Sequence, residues 1–563
     1  MCFMKFFFGL VFSLLLLTSC SQPEKKRPTN ILIIVADDLG FTDLGCYGSE
    51  INTPNLNALA AKGLRSTSFY TAPTCSPTRA MLLSGVVNHR NGYGTMEGDW
   101  ADNQKGLRGY EGYLNWDVVT FPKLLQDAGY HTSIAGKWHQ AFPAKEQTLW
   151  PYYRGFTRSF IMAQGGAGHY YDKQPLLSFI PEALYVEDTT QVATLSKDFY
   201  SSKNYADKTI QFIDESRSGH KPFFHFLSFT APHWPLQVPD ENIDTYKDKY
   251  EEGYEVLAQK RFERAQAMGI IPASAKLPAL TPNIQPWNEL TDVEKRRSSR
   301  AMEIYAAMID RMDFHVGRVI AHLKEIGEYE NTLIVFMADN GAEGNSIMGY
   351  EDTGEWVETT FDTSFENMGR LNSYTELGAA WASVSSLPFK WYKAFATEGG
   401  VRAPLIIQYP KSKRTANTIA NDFLSVMDLA PTFLELADVK HPGTTYQGRK
   451  VYPMNGMSML PWLHGEIDFV HPMEKAHVWE LYGRIGVRLG DWKAEKMEAP
   501  YGTGVWELYN LKEDLIEENN LANNYPEKLQ ELIGHWKDYE KENAVTLPDR
   551  PTAYSKETYW NKK

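Results

Sequence analysis

Hydrophobic positions in this chain fall into two kinds of run, and their order predicts an architecture. Asn30 to Ala36 reads Asn-Ile-Leu-Ile-Ile-Val-Ala, and Thr332 to Ala338 reads Thr-Leu-Ile-Val-Phe-Met-Ala. Unbroken apolar runs of this length predict strands buried on both faces. Further strands are expected at His131–Ala135 and Phe223–Phe229. From about Val293 to Ile326 the period becomes helical: Tyr305, Met308, Ile309, Met312, Val316, Val319 and Leu323 share one face, which marks Met308 and Met312 as core. Strands alternating with helices predict an α/β fold, with a large mixed, mostly parallel sheet sandwiched by helices.

The tail has another texture. His477–Leu481, Ile485–Arg488 and Trp506–Tyr509 read as short antiparallel strands between glycine-containing turns, and a helix is expected from Glu527 to Asn543 after Pro526. The expected division is a catalytic domain over 29–440 and a smaller C-terminal α+β domain with an antiparallel sheet over 441–563. The stretch from Asn345 to Lys390 has weak periodicity and several aromatics, and reads as a functional or packing loop.

The N-terminus reads as a leader. Lys5 precedes an apolar run from Phe6 to Leu17, too short for a membrane span, and Leu17-Thr18-Ser19-Cys20 has the form of a bacterial lipobox. This predicts a lipoprotein signal over 1–19, a lipidated Cys20, a tether over 20–28, and an exported protein at the bacterial periplasm or cell surface. The alternative is an ordinary cleaved signal. Of the four cysteines, Cys2 and Cys20 belong to the leader, leaving Cys46 and Cys75 in the folded body. A bridge between those two would consume Cys75, and Cys46 reads as a small buried residue in a turn. The formal charge of −13, with no basic tract, argues against nucleic-acid binding. An anionic substrate would need local cations or a metal.

Candidate chemistry sits where the strands end. The first apolar run closes on Asp37-Asp38 and the later one on Asp339-Asn340. One Asp after a strand is usually a turn former, but two such pairs on matching strand ends offer hard oxygen ligands suited to Ca²⁺ or Mg²⁺. Cys75-Ser76-Pro77-Thr78-Arg79 opens an apolar segment that closes at Gly85. Pro77 suits a first helical turn and Gly85 a helix end, placing Cys75 where free backbone N–H groups favour an anion, with Arg79 one turn along. Alone, the pentapeptide also fits a buried thiol. Lys137 and His139 in Gly-Lys-Trp-His, His233 in Ala-Pro-His, and Lys393 before Glu398-Gly399-Gly400 lie after strands or beside glycine-rich turns.

These motifs, in this order, resemble the sulfatase family, from about residue 30 into the C-terminal region. Ala183–Asp188 and Ala231–Gln237 are most similar to the bacterial arylsulfatase type. The resemblance implies an alkaline-phosphatase-like fold and hydrolysis of sulfate monoesters. It also implies oxidation of Cys75 to formylglycine by a maturation enzyme, of the formylglycine-generating or radical type. Asp37, Asp38, Asp339, Asn340 and the converted Cys75 are implied to hold one Ca²⁺, with Mg²⁺ the lesser candidate. By the same resemblance the aldehyde hydrate would attack sulfur, with Asp339 as base. Arg79, Lys137, Lys393 and the metal would neutralise the sulfate oxygens, and His233, helped by Lys393, would protonate the leaving oxygen. His139 would take the proton whose loss ejects sulfate.

Two rivals remain at this level: a phosphate or phosphonate ester hydrolase of the same fold, and a lipoprotein that binds sulfated glycans without cleaving them. The substrate is open between aryl and carbohydrate sulfates. Trp138, Trp234, Trp381, Trp391 and Tyr392 are candidates for a ring-binding wall, or else for the core.

Overall fold

The two matching apolar runs lie side by side. In the computed structural model, which describes residues 27–349, 353–552 and 554, strand β1 (Asn30–Ala36) pairs parallel with β8 (Thr332–Ala338) from Asn30↔Thr332 to Ala36↔Ala338. This register has no offset, so the Asp-containing turns after the two strands emerge together. On its other side β1 pairs parallel with β7 (Phe223–Ser228), and β3 (His131–Lys137) pairs parallel with β7. Beyond β3 lie β4 (Arg158–Met162), β5 (Tyr185–Glu187) and β6 (Thr190–Gln191). On the far side of β8 come β9 (Arg402–Gln408) and β2 (Leu64–Tyr70), the latter flanked by β10 (Thr418–Ala420) and β11 (Leu424–Ser425). The sheet is mostly parallel; β9 and β5 run against their neighbours.

Helices cover both faces, and adjacent residues of β7 demonstrate it. Phe224 packs against Phe121 and Phe433, from helices Phe121–Asp127 and Leu429–Leu436. His225 points the other way, its Nε2 2.8 Å from Thr209 Oγ1 in the Ser201–Ser218 helix. Successive strand residues face opposite sides, so these helices form separate layers. The long helix spans Asp292–Glu325 and is started by a capping box between Thr291 and Glu294. Its expected apolar face is buried throughout. Tyr305 on that face donates to Asp43 Oδ2 at 2.7 Å and to the Asp38 carbonyl at 3.3 Å, so the helix braces the turn after β1.

The tail forms a two-stranded hairpin, β12 (Thr445–Tyr446) and β13 (Arg449–Lys450), then an antiparallel sheet of β14 (Ala476–Leu481), β15 (Arg484–Leu489), β16 (Trp492–Lys496) and β17 (Glu507–Asn510). The Pro526–Glu542 helix closes a small core of Ile485, Val487, Ala494, Leu508, Leu532 and Trp536. Val451, Met459, Trp462 and Val470, from the segment between the hairpin and β14, join the large core. The stretch 345–390 contains short helices at Thr353–Thr360 and Ala379–Ser385, and Trp381 is buried among Tyr250, Tyr254 and Trp287. Among the described residues no helix is long and apolar enough to cross a membrane. The leader and Cys20 lie outside the described residues, as does the tether up to residue 26.

Candidate active site

The candidate catalytic and metal-binding residues meet at the carboxyl edge of the central strands. Cys75 is the first residue of a helix, Cys75–Ser84, all of it buried. The entry is fixed locally: Thr78 Oγ1 accepts the Ala72 N–H at 2.9 Å, while Thr74 at the N-cap is extended and makes no side-chain cap bond. The first-turn N–H groups therefore have no side-chain cap, which suits a helix start facing an anion. Gly85 ends the helix at φ 67°. Cys46 and Cys75 are both free thiols, so no bridge consumes Cys75.

Carboxylates and cations interleave around Cys75. Asp37, Cys75 and Asp339 place one ligand atom each within 4.8 Å of one another. Arg79 donates through Nε to Asp339 Oδ2 at 2.8 Å and through Nη1 to Ser228 Oγ at 2.6 Å. Lys137 Nζ lies 2.8 Å from both oxygens of Asp37. Lys393 Nζ lies between Asp38 Oδ2 at 2.9 Å and Glu343 Oε2 at 2.8 Å. His233 Nε2 is 3.3 Å from the same Asp38 oxygen. His139 Nδ1 faces Cys75 Sγ at 3.3 Å, and its Nε2 makes a short contact with Glu97 Oε1. Gly165 permits the covering loop to lie on His139: a Cβ there would fall 2.7 Å from Nε2.

Burial dominates the electrostatics. It raises the Asp37 carboxyl, against the pull of Lys137, and the neighbouring Asp339 and Asp38 raise it further. Burial also acts to raise Asp38, but Lys393, His233 and Lys137 outweigh it and hold that carboxyl low. The Cys75 thiol is pushed up by burial despite Lys137 and Lys393. Burial likewise lowers His139, opposed by Glu97, and lowers His233 far below the usual imidazole range, opposed by Asp38. Asp38 and His139 have positive φ, 62° and 54°, in the turns after β1 and β3. Strained backbone of this kind is a recurrent mark of functional sites.

The donor set suits a hard divalent cation. Asn340 gives its Nδ2 to Asp38 Oδ1 at 2.7 Å, leaving its buried Oδ1 without a hydrogen-bond partner among the described residues. Asp37, Asp38, Asp339 and Asn340 supply oxygens of the kind Ca²⁺ takes. Cys75 is the mismatch, because a soft sulfur is a poor neighbour for a hard ion and an oxygen at that position would match.

Three residues of this site were not read from the sequence: Glu97, Glu343 and Ser228. Glu97 and Glu343 lie outside regular elements, and only contact with His139 and Lys393 reveals them. The aromatic candidates divide. Trp138 and Trp381 are core, the former donating to the Leu149 carbonyl at 3.0 Å. Trp234 packs between His233 and Tyr374. Trp391 stacks on Phe395, and the Tyr392 hydroxyl accepts from Asn283 at 2.9 Å.

A sheet edge that gathers a helix-borne nucleophile position, buried cations and hard-ion ligands defines a hydrolase for charged esters. A family model described as Sulfatase matches residues 29–439, and one described as N-sulphoglucosamine sulphohydrolase, C-terminal, matches 388–541. The chain belongs to the sulfatase family, and it is a sulfuric ester hydrolase. It is 43% identical over 546 residues to an uncharacterized sulfatase of Schizosaccharomyces pombe, covering 94% of this chain and 96% of the relative. It is 37% identical over 448 residues to an arylsulfatase of Klebsiella aerogenes, covering 79% and 94%. Among solved structures, Ps i-CgsB in complex with k-i-k-neocarrahexaose matches with TM-score 0.65 at 24% identity, over 95% of this chain and 97% of that one.

Proposed function

We propose that the chain hydrolyses sulfate monoesters with a formylglycine made from Cys75 and one bound Ca²⁺. The observation that carries this reading is the placement of Cys75: first residue of a buried helix, within 4.8 Å of Asp37 and Asp339. Asp37, Asp38, Asp339 and Asn340 would hold the ion, which supplies Lewis-acid charge toward the sulfate oxygens. A hydrated aldehyde at position 75 supplies an oxygen nucleophile with a second hydroxyl, which a thiol cannot.

The chain's own residues then have separable tasks. The Arg79 guanidinium and the Lys137 and Lys393 ammonium groups face the equatorial oxygens and balance their charge. His233 Nε2 and Lys393 Nζ share one oxygen of Asp38, so both are aimed at the same side of the site, where the leaving oxygen gains a proton. His139 presents Nδ1 to position 75, with Glu97 holding the opposite nitrogen, an arrangement for taking a proton from that residue.

Formal charge favours sulfate over phosphate. Arg79, Lys137 and Lys393 stand against Asp37, Asp38, Asp339, Glu343 and Glu97, so the carboxylates are in excess and a divalent ion only balances them. A sulfate monoester then adds one uncompensated negative charge, whereas a phosphate monoester dianion adds two. Nitrophenyl sulfate should therefore turn over with kcat/KM at least about 100-fold above nitrophenyl phosphate, the factor a misfit of about 2.7 kcal/mol produces. Preference for phosphate in parallel assays would overturn the reading. Binding without cleavage is disfavoured by the completeness of the set.

The natural substrate lies among aryl sulfates and sulfated sugars. Likeness to the Klebsiella arylsulfatase supports the first. A 27% identical N-acetylglucosamine-6-O-sulfatase of Bacteroides thetaiotaomicron, matched over 95% of this chain and 90% of its own length, supports the second. Export and lipid anchoring through Cys20 are proposed from the leader, as is contact with a maturation enzyme from the Cys75 motif.

A further inference from the structure

The loop that delivers Lys393 is held from two domains. Lys393 donates its backbone N–H to the Ala342 carbonyl at 3.1 Å, and its own carbonyl accepts from Asn345 Nδ2 at 3.1 Å. Ala394 donates its N–H to the Pro73 carbonyl at 2.8 Å, two residues before Cys75. All of these partners belong to the catalytic domain. The Ala394 carbonyl is different: it accepts from Arg484 Nη1 at 2.8 Å, and Arg484 begins β15 of the C-terminal sheet.

Arg484 is fully buried, and its fork is used on every side. Nε and Nη2 reach Glu498, Nη2 also donates to the Tyr554 carbonyl, and the guanidinium lies over the rings of Phe395 and Tyr501 at 4.2 and 4.4 Å. A planar cation bonded in this way has one available position. The segment it grips is strained, because Trp391 and Ala394 have φ of 62° and 76° without being glycine. Such geometry persists only where surrounding contacts fix it. The same sheet grips the loop again further on, where buried Lys493 of β16 pairs with Glu398 Oε1 at 3.0 Å.

We propose that Arg484 is the positioning residue for Lys393: the C-terminal sheet, through this side chain, fixes the ammonium group between Asp38 and Glu343 and hence aims it at the substrate. The inference rests on the catalytic reading of Lys393 given above. Without Arg484 the Ala394 carbonyl loses its buried donor and the residue can leave its left-handed conformation. Lys393, one residue away, shifts with it. A displacement on the scale of 1 Å in a catalytic group costs about 100-fold in rate.

The test is a double-mutant cycle on kcat, with Arg484→Ala and Lys393→Ala made singly and together. The Ser66–Arg79 peptide is first checked by mass for equal conversion of Cys75. Arg484→Ala should lower kcat about 30- to 100-fold in the wild-type background and less than about 3-fold in the Lys393→Ala background, the non-additivity of residues acting as a unit. Added guanidinium ion should restore part of the rate in the first background only. Arg484→Lys, which keeps the charge but not the fork, runs beside it in case the alanine variant does not accumulate, with the same pattern expected. Equal loss in both backgrounds would overturn the proposal while leaving the role of Lys393 standing, as would wild-type kcat in either Arg484 variant. Wild-type kcat in Lys393→Ala alone would overturn the reading of Lys393 and this proposal with it.

Discussion

Cys75→Ala should abolish sulfate ester turnover, lowering kcat at least about 10⁴-fold, the scale seen when a nucleophile is removed. The substitution is mild for the fold. The helix start tolerates alanine, and the change removes only the small functional group at one buried position. Arg79, Lys137, Lys393 and His233 keep the partners that hold them, and His139 keeps Glu97 while losing its contact with position 75. The variant should therefore melt near the wild-type temperature and still bind a sulfate monoester, with the reaction alone missing. Steady-state assays with nitrophenyl sulfate beside a binding measurement separate the two. Residual turnover above a hundredth of wild type would mean that position 75 is not the nucleophile.

The second large effect is expected at Asp339. Its Oδ2 accepts from Arg79 Nε at 2.8 Å, with Arg79 Nη2 in ion-pair contact at 2.8 Å, and Oδ1 accepts the Asp38 N–H at 3.2 Å. Asp339→Asn keeps the size and removes the charge. Arg79 then loses its principal ion-pair partner inside the protein, a change that costs about 3–5 kcal/mol when one half of a buried pair is removed. The proposed divalent site loses a ligand at the same time. Activity should fall at least about 10³-fold. Calcium should also cease to stabilise the protein. A ligand at one hundred times its dissociation constant contributes about 2.7 kcal/mol. Chelated wild-type protein should thus regain melting temperature when Ca²⁺ is added, and Asp339→Asn should not. A wild-type melt that is indifferent to calcium would remove the metal from the account.

How far the sequence reveals this protein depends on whether a residue announces itself by spacing. Strands β1 and β8 are unbroken apolar runs, and their shared ending made Asp37, Asp38, Asp339 and Asn340 visible before any register was known. The helix at Cys75 was legible from Pro77 and Gly85. β16 was not. It carries Lys493 and Glu495 buried, facing Glu398 and Glu517, so charge occupies positions where alternation would place apolar residues. β9 was hidden for another reason: Arg402-Ala-Pro-Leu-Ile-Ile-Gln carries a proline at its third position just after a glycine-rich turn, and its antiparallel direction breaks the expected alternation of strand and helix. Glu97 and Glu343 carry no local pattern at all; their significance lies in distances to His139 and Lys393 that only tertiary structure sets. The grip of Arg484 on Ala394 joins the C-terminal sheet to the loop of Lys393, and nothing near either residue in sequence suggests it.

The central claim is that Cys75 is the precursor of the working nucleophile, and the mass of one peptide tests it most directly. Trypsin releases Ser66–Arg79 with Cys75 inside it. In active protein from its native host, that peptide should have the mass of a chain in which CH₂SH has become CHO, it should react with a carbonyl reagent, and its fraction should track specific activity across preparations. A peptide with intact cysteine in fully active protein would contradict the account.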